Sequence, residues 1–112
     1  MQRYILNSAV ITAPGQYDYR LIETGEAVEW LAAGKYKSTI GYEETAMALE
    51  ALTGFEIETY RVNIIMDPGD QALVFRLVLP RGSARPGADD KGYMGLDFIE
   101  DNCEIGILER LR

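Results

Sequence analysis

Two apolar runs joined by a turn signal constrain the fold of this chain more than any other stretch. The runs are TYRVNIIM at 59–66 and ALVFRLVL at 72–79, and DPGD lies between them at 67–70. Both runs are rich in β-branched and aromatic side chains, which strands favour. Pro68 at the second turn position and Gly69 at the third are typical of a type II turn. The pattern predicts a β-hairpin.

Turn and cap signals divide the rest of the chain into short elements. Strands are predicted at 3–13 with a break at Asn7-Ser8, at 17–23, at 36–40 and from about 104 to 111. Helices are predicted from a Thr24 cap to Gly34, from about 42 to 53 before Gly54, and briefly at the start of the tail. The order β-β-α-β-α-β-β-α-β predicts one α+β domain over residues 1–112. We expect a mixed sheet of about five to six strands, with two to three helices covering one face.

The composition is that of a globular protein and removes several classes of function. Apolar residues make up 47% of the chain and charged residues 26%. No apolar run approaches the roughly 18–20 residues that cross a bilayer, and the N-terminus lacks the pattern of a secretory signal. We therefore expect a cytoplasmic protein without a membrane partner. The net charge of −7 argues against duplex nucleic acid as a partner, because its binders present a basic surface.

Metal and acid–base chemistry are restricted as well, because the chain has no histidine and one cysteine, Cys103. A lone cysteine makes no intrachain disulfide, and without histidine it lacks its usual general base and zinc co-ligands. We expect no metal and no cofactor, and we interpret Cys103 as a packing residue. A small anionic ligand held by a few local arginines remains compatible with the acidic composition.

The stretch STIGYEETA at 38–46 marks the junction most suggestive of a site. A β-branched run stops at Gly41, and Tyr42 opens a helix whose first turn contains Glu43 and Glu44. A side chain at the Tyr42 position is pushed outward at the end of a strand. A helix N-terminus is a natural phosphate site, but the two carboxylates would repel a phosphate placed there.

Three phrases occur in order over nearly the whole chain: YILNSAVITAPG, then STIGYEETAMALEALTG with YRVNI, and GDQALVFRLVLPRG ahead of GILERL. Together they resemble the viral ring nuclease family. These are type III anti-CRISPR proteins of archaeal viruses and phages, with relatives on bacterial mobile elements. The resemblance implies a small α+β homodimer. It also implies binding of cyclic tetra-adenylate, the messenger of type III CRISPR effectors, in a cleft across the dimer interface.

The resemblance further implies that the family's catalytic positions are altered here. Ring-cutting members use 2′-OH attack on a phosphate, with a histidine as general acid in a Gly-His-acid-x-Thr motif. That motif falls on residues 41–45, so Tyr42 stands at the histidine position. The family's catalytic arginine and glutamate match Val78 and Arg81. The resemblance keeps Asn7, Ser8, Gly41, Thr45 and Arg61 as the family's scaffold. With Tyr42 as a stacking surface and Arg81 as a positive charge, these are the candidate ligand-binding residues.

The exchange at Tyr42 predicts holding of the ligand more than cleavage. A histidine gives up its proton near neutral pH, whereas a tyrosine with an ordinary pKa near 10 retains it, and general acid catalysis contributes roughly 10²–10⁴-fold. A tyrosine ring is nevertheless a good surface for base stacking. We therefore expect a protein that sequesters a cyclic oligoadenylate and antagonises antiviral signalling in the host cytoplasm. It is not expected to be an efficient enzyme.

Two other functions stay open at this point. One is a slow ring nuclease, and the other is a homologue that binds no ligand and serves another interaction. The ligand is also open. Either Glu43 and Glu44 turn outward to solvent or the ligand is not cyclic tetra-adenylate, and another cyclic nucleotide or an ADP-ribose-type signal is the alternative.

Each candidate residue also has a purely structural interpretation. Tyr42 could pack at a dimer interface, and Asn7-Ser8 could be a bulge or turn. Arg61 and Arg76 could be sheet-surface charges paired with a nearby glutamate. If the ligand carries phosphates, positive charge is expected from Arg61, Arg81 and Arg85.

Overall fold

The computed structural model describes residues 2–8, 13–77, 99 and 101–112. Its elements in chain order are β1 (Arg3–Leu6), β2 (Tyr17–Leu21), α1 (Thr24–Ala32), β3 (Lys37–Ser38), α2 (Glu43–Thr53), β4 (Gln71–Leu77) and β5 (Cys103–Arg110). The strands form a five-stranded sheet in the order β2-β5-β4-β1-β3. β1 is parallel to β3 and β4, whereas β5 is antiparallel to β2 and β4. The predicted α+β class with a mixed sheet is confirmed.

Both helices pack on one face of the sheet, as expected. The main core joins apolar side chains of α1 and α2 to alternate residues of the strands, including Ile5, Leu73, Phe75, Ile105 and Ile107. Because side chains alternate between the faces of a strand, the residues between these point to the opposite face. The helices therefore leave the second face of the sheet to other parts of the chain.

A smaller cluster covers part of that second face. Leu6, Ala72, Val74 and Leu108 are buried there beneath Met66, with Ile64 and several tyrosines packed around them. Met66 and Ile64 belong to the segment 59–66, which follows α2 in sequence. In space this segment runs from beside the end of β3 to the start of β4. This segment therefore crosses the second face of the sheet.

The crossing corrects the predicted hairpin. Its turn is confirmed: Gly69 has a φ of +94°, and the Asp70 N–H donates to the Asp67 carbonyl at 2.9 Å. Residues 59–66, however, form no strand. The physical reason is that β4 has β1 on one edge and β5 on the other, so neither edge is open to a hairpin partner.

Most other boundaries agree with the sequence patterns. α2 begins after Tyr42 and ends at Gly54, which is left-handed with a φ of +77°. α1 differs slightly, because Glu23 occupies its N-cap and Ala33 its C-cap in place of the predicted Thr24 and Gly34. Described residues 99 and 101, directly before β5, are helical where a short helix is predicted. The predicted strand at 3–13 ends at Leu6, and residues 9–12 lie outside the described part.

Within the described residues, no helix has both the length and the apolar character required to cross a bilayer. No cluster of three or more His, Cys, Asp or Glu side chains suited to a metal ion occurs in that same part of the chain.

Candidate ligand site at the carboxyl ends of the parallel strands

Three strands end at the same edge of the sheet because β1, β3 and β4 are parallel. Asn7 and Ser8 follow β1 as two half-buried bends, and the Gly41–Tyr42 junction follows β3. The crevice outside the carboxyl ends of parallel strands is where open α/β sheets commonly bind ligands. The structure therefore brings Asn7-Ser8 and Gly41–Tyr42 to one edge of the sheet. Val78, Arg81 and Arg85 follow β4 in sequence and lie outside the described residues.

The Gly41–Tyr42 junction is tied to β1 by two hydrogen bonds. The Thr39 backbone N–H and its hydroxyl both donate to the Ile5 carbonyl, at 2.9 and 2.8 Å. Tyr42 is the N-cap of α2 and has an extended backbone, with a φ of −121° and a ψ of 125°. Its side chain is 45% exposed, as expected for a residue pushed out at a strand end.

The next segment of chain brings Arg61 to Tyr42. The Ser38 hydroxyl donates to the Glu58 carbonyl at 2.6 Å, and the Tyr60 N–H donates to the Ile40 carbonyl at 2.9 Å. These bonds hold residues 58–60 beside the outer edge of β3. The Arg61 guanidinium carbon then lies 5.9 Å from the centre of the Tyr42 ring, at the outer limit of a cation–π contact.

Gly41 makes room for that approach. A Cβ built on Gly41 would lie 3.0 Å from Arg61 Cγ and 3.3 Å from Cβ and Cδ of the same side chain. The aliphatic part of Arg61 thus rests on the Gly41 backbone, while its guanidinium reaches toward Tyr42. Gly41, Tyr42 and Arg61, three of the candidate ligand-binding residues, are neighbours in space.

Thr45 has a different environment. It is 6% exposed on the inner face of α2, alongside the buried Ala46, Ala48 and Leu49. It supports the first turns of the helix from within, and its proposed contact with a ligand stays a prediction.

The charge at the helix start agrees with the concern raised by the sequence. Glu43 and Glu44 occupy the first turn of α2, with Glu43 exposed and Glu44 half-buried. Their carboxylates oppose an anion directly at the helix N-terminus. Arg61 supplies positive charge to one side of that point. An anionic ligand would therefore be held beside the helix end, near Arg61, and not on the helix axis.

A second opening was missed by sequence reasoning. A cleft of about 390 Å³ lies between β3 and residues 56–58. It is lined by Tyr36, Lys37, Ser38, Glu56 and Glu58. Burial, followed by the nearby Glu56 charge, raises the pKa of Tyr36. The hydroxyls of Ser38 and Tyr36 donate to the Glu58 and Glu56 carbonyls. With two carboxylates and its hydroxyls already engaged, this cleft suits an anion poorly. No pattern along the chain signals it, because it arises from a non-local approach.

Comparisons with known proteins agree with this architecture. The family model described as STIV B116-like matches residues 3–83. The uncharacterized protein YddF of Bacillus subtilis (strain 168) is 38% identical over 79 residues, which are 69% of this chain and 73% of YddF. The structure of B116 of Sulfolobus turreted icosahedral virus (STIV) matches with a TM-score of 0.76 at 17% identity, covering 98% of this chain and 100% of that one. At that identity the structural match shows the fold alone. From the family model and YddF, the chain belongs to the STIV B116-like family.

Proposed function

We propose that this protein binds a cyclic oligonucleotide messenger of the cyclic tetra-adenylate class at the carboxyl edge of β1, β3 and β4, and sequesters it. The observation that carries the proposal is the pairing of Arg61 with Tyr42 beside Gly41. An exposed aromatic ring offers a base a stacking surface, and a guanidinium next to it offers a phosphate two parallel donors. A nucleotide needs both groups together.

Sequestration is preferred to cleavage because the chain has no histidine to act as general acid. The ring nuclease resemblance supports the choice of ligand class. Removal of such a messenger would blunt host antiviral signalling, and this role suits a family that includes a protein from a virus.

The site is proposed to be completed by a second copy of the chain. Tyr60, Val62 and Ile65 are large apolar side chains exposed along the segment next to Arg61, and Tyr42 is exposed beside them. A two-fold symmetric pair would present each arginine twice to a cyclic ligand. Light scattering at micromolar concentration should give the mass of a dimer. The mass of a monomer would remove the composite cleft from the proposal.

One incubation distinguishes the proposed function from its alternatives. Protein is incubated with a large molar excess of cyclic tetra-adenylate. One portion is filtered to measure the bound ligand, and another is denatured so that its nucleotides can be separated by HPLC. Stoichiometric uptake with intact ring recovered supports sequestration. Linear product formed over several turnovers would instead show a ring nuclease. If the protein takes up neither cyclic tetra-adenylate nor other cyclic nucleotides and ADP-ribose, the remaining function is that of a homologue that binds no ligand and serves another interaction.

Substitutions at Tyr42 test its part in the site. Tyr42→Ala should weaken binding by about 1–3 kcal/mol, the range for a base–aromatic contact, and Tyr42→Phe should divide that loss between ring and hydroxyl. Titration calorimetry measures both. Leu111→Ala, at another exposed apolar residue, serves as the control and should bind as the wild type does. Unchanged affinity in Tyr42→Ala with a loosened dimer would make Tyr42 an interface residue.

The same position tests the catalytic interpretation. Tyr42→His places a general acid at the position that matches the histidine of the ring nuclease family. Arg81 still stands at the position that matches that family's catalytic glutamate. We expect slow cleavage at most from Tyr42→His, and faster cleavage when Arg81→Glu is added. The HPLC separation measures this directly. Rapid multiple turnover by the wild-type chain would overturn the interpretation.

A further inference from the structure

The arginines of the described residues divide into those engaged by the protein and those with donors to spare. Arg3 donates to the Trp30 and Lys35 carbonyls and stacks on the Trp30 ring. Arg20 is paired with Glu26 at 3.1 Å, and Arg110 donates to three backbone carbonyls. These three guanidinium groups have structural partners. The donors of Arg61, Arg76 and the C-terminal Arg112 are not occupied in this way, and of these Arg61 and Arg76 lie toward the carboxyl ends of the parallel strands.

Arg76 is held loosely by one partner. It lies directly across from Glu104 in the β4–β5 register, and its guanidinium is 3.9 Å from the Glu104 carboxylate. That separation gives electrostatic attraction without a close hydrogen bond. The Arg76 side chain is 52% exposed, so its donors remain accessible from solvent. The pairing confirms the structural interpretation of Arg76 but leaves its donors open to a ligand.

Glu104 is in turn fixed by Tyr19. The Tyr19 hydroxyl donates to the same carboxylate oxygen at 3.0 Å. Burial, and then this hydrogen bond, raise the pKa of Tyr19 to about 12, so the hydroxyl remains a donor at physiological pH. The ring of Tyr19 lies over Gly106, where an added Cβ would come within 2.5 Å of it. The absence of a side chain at Gly106 therefore allows the Tyr19–Glu104–Arg76 chain of contacts to form.

Arg76 also lies at the edge where the candidate site is found. Arg76 is the residue before the last of β4 and lies two residues beyond Val74, which pairs with Leu6 at the end of β1. Arg76 alternates with Phe75 and Leu77, so it points to the face crossed by residues 59–66. β3 and β4 are separated by β1 alone, about 9–10 Å apart in the sheet.

We propose that Arg76 is a second anion-binding residue of this edge, and that Glu104 and Tyr19 are positioning residues that orient its guanidinium. The ligand group is a phosphodiester oxygen, and the inference rests on the proposed function of the same site. Two arginines based on either side of β1 suit a ligand that carries more than one phosphate. Glu104 offsets part of the positive charge, so its contribution is orientation and not attraction.

The test uses the full chain and two probes, cyclic tetra-adenylate and inorganic tripolyphosphate, titrated over a range of salt concentrations. Arg76→Gln should weaken binding of both probes about 10- to 100-fold, as expected for loss of a charge-assisted contact. It should also reduce the slope of log affinity against log salt by about one. Tyr19→Phe should weaken binding several-fold with the salt slope unchanged. Arg20→Gln, which removes an equally exposed arginine on the helix face, should change neither quantity.

The outcomes separate this inference from the proposed function. If the wild type binds and Arg76→Gln has the same affinity and salt slope, the role of Arg76 is overturned and the proposed function stands. If the wild type binds only tripolyphosphate and Arg76→Gln abolishes it, the proposed function falls and the anion site stands. Binding of neither probe overturns both. Thermal unfolding of each variant confirms that it folds.

Discussion

Asp70→Ala should lower the free energy of unfolding by about 3 kcal/mol, among the largest effects expected of a single polar substitution in this chain. Asp70 is 5% exposed at the end of the turn that precedes β4. Its two carboxylate oxygens accept the Gln2 N–H at 2.9 Å and the Asp67 N–H at 2.8 Å. Removal of the carboxylate leaves two backbone donors without their acceptor and releases the start of β1 from the turn.

Urea unfolding at constant m-value measures the loss as a shift in midpoint. Asp67→Ala is the matched control, because it removes an exposed carboxylate from the same turn. That variant should stay within about 0.5 kcal/mol of the wild type. Equal losses in the two variants would show that the effect does not depend on the hydrogen bonds of the Asp70 carboxylate, and the role given to Asp70 would be wrong.

Arg61→Gln should weaken binding of cyclic tetra-adenylate by about 3 kcal/mol, or more than a hundredfold. The guanidinium is the described cation closest to Tyr42, and its stem rests on Gly41. Glutamine keeps much of the stem but removes the charge and the paired donors. Arg61→Lys keeps the charge without the planar fork, so its loss should be intermediate.

Titration calorimetry at fixed salt compares these variants with Arg20→Gln, which loses the same charge from a pair with Glu26 far from the edge. Arg20→Gln should bind like the wild type. An equal loss in Arg20→Gln would show that the effect follows net charge, which would remove Arg61 from the site.

Local patterns were sufficient for elements whose signals lie within a few residues. The extended Tyr42 and the left-handed Gly54 bound α2 where the residue types predict. The turn at Gly69 is also local. The neighbours of β4 in the sheet are not set by local sequence. β1 and β5, which are far apart in sequence, pair with its two edges, and residues 59–66 therefore lie on the second face.

The candidate site also combines features that local sequence predicts with features that depend on contacts between distant residues. That Tyr42 projects from a strand end followed from the junction itself. Its approach to Arg61 was implied by a family resemblance, because 18 residues separate the two and no spacing rule joins them. The Tyr19–Glu104–Arg76 contacts depend on the registers of two antiparallel pairs, which no single stretch of sequence encodes.

Backbone amide NMR during titration with cyclic tetra-adenylate tests the location of the site most directly. We expect the largest shift changes at Ser8, Gly41, Tyr42 and Arg61, with saturation at a fixed ratio of ligand to protein. Amides at the opposite end of the sheet, such as those of Gln2 and Gly69, should change little. Changes concentrated at that opposite end, or none at a ligand concentration that saturates uptake, would contradict a ligand site at the carboxyl ends of β1, β3 and β4.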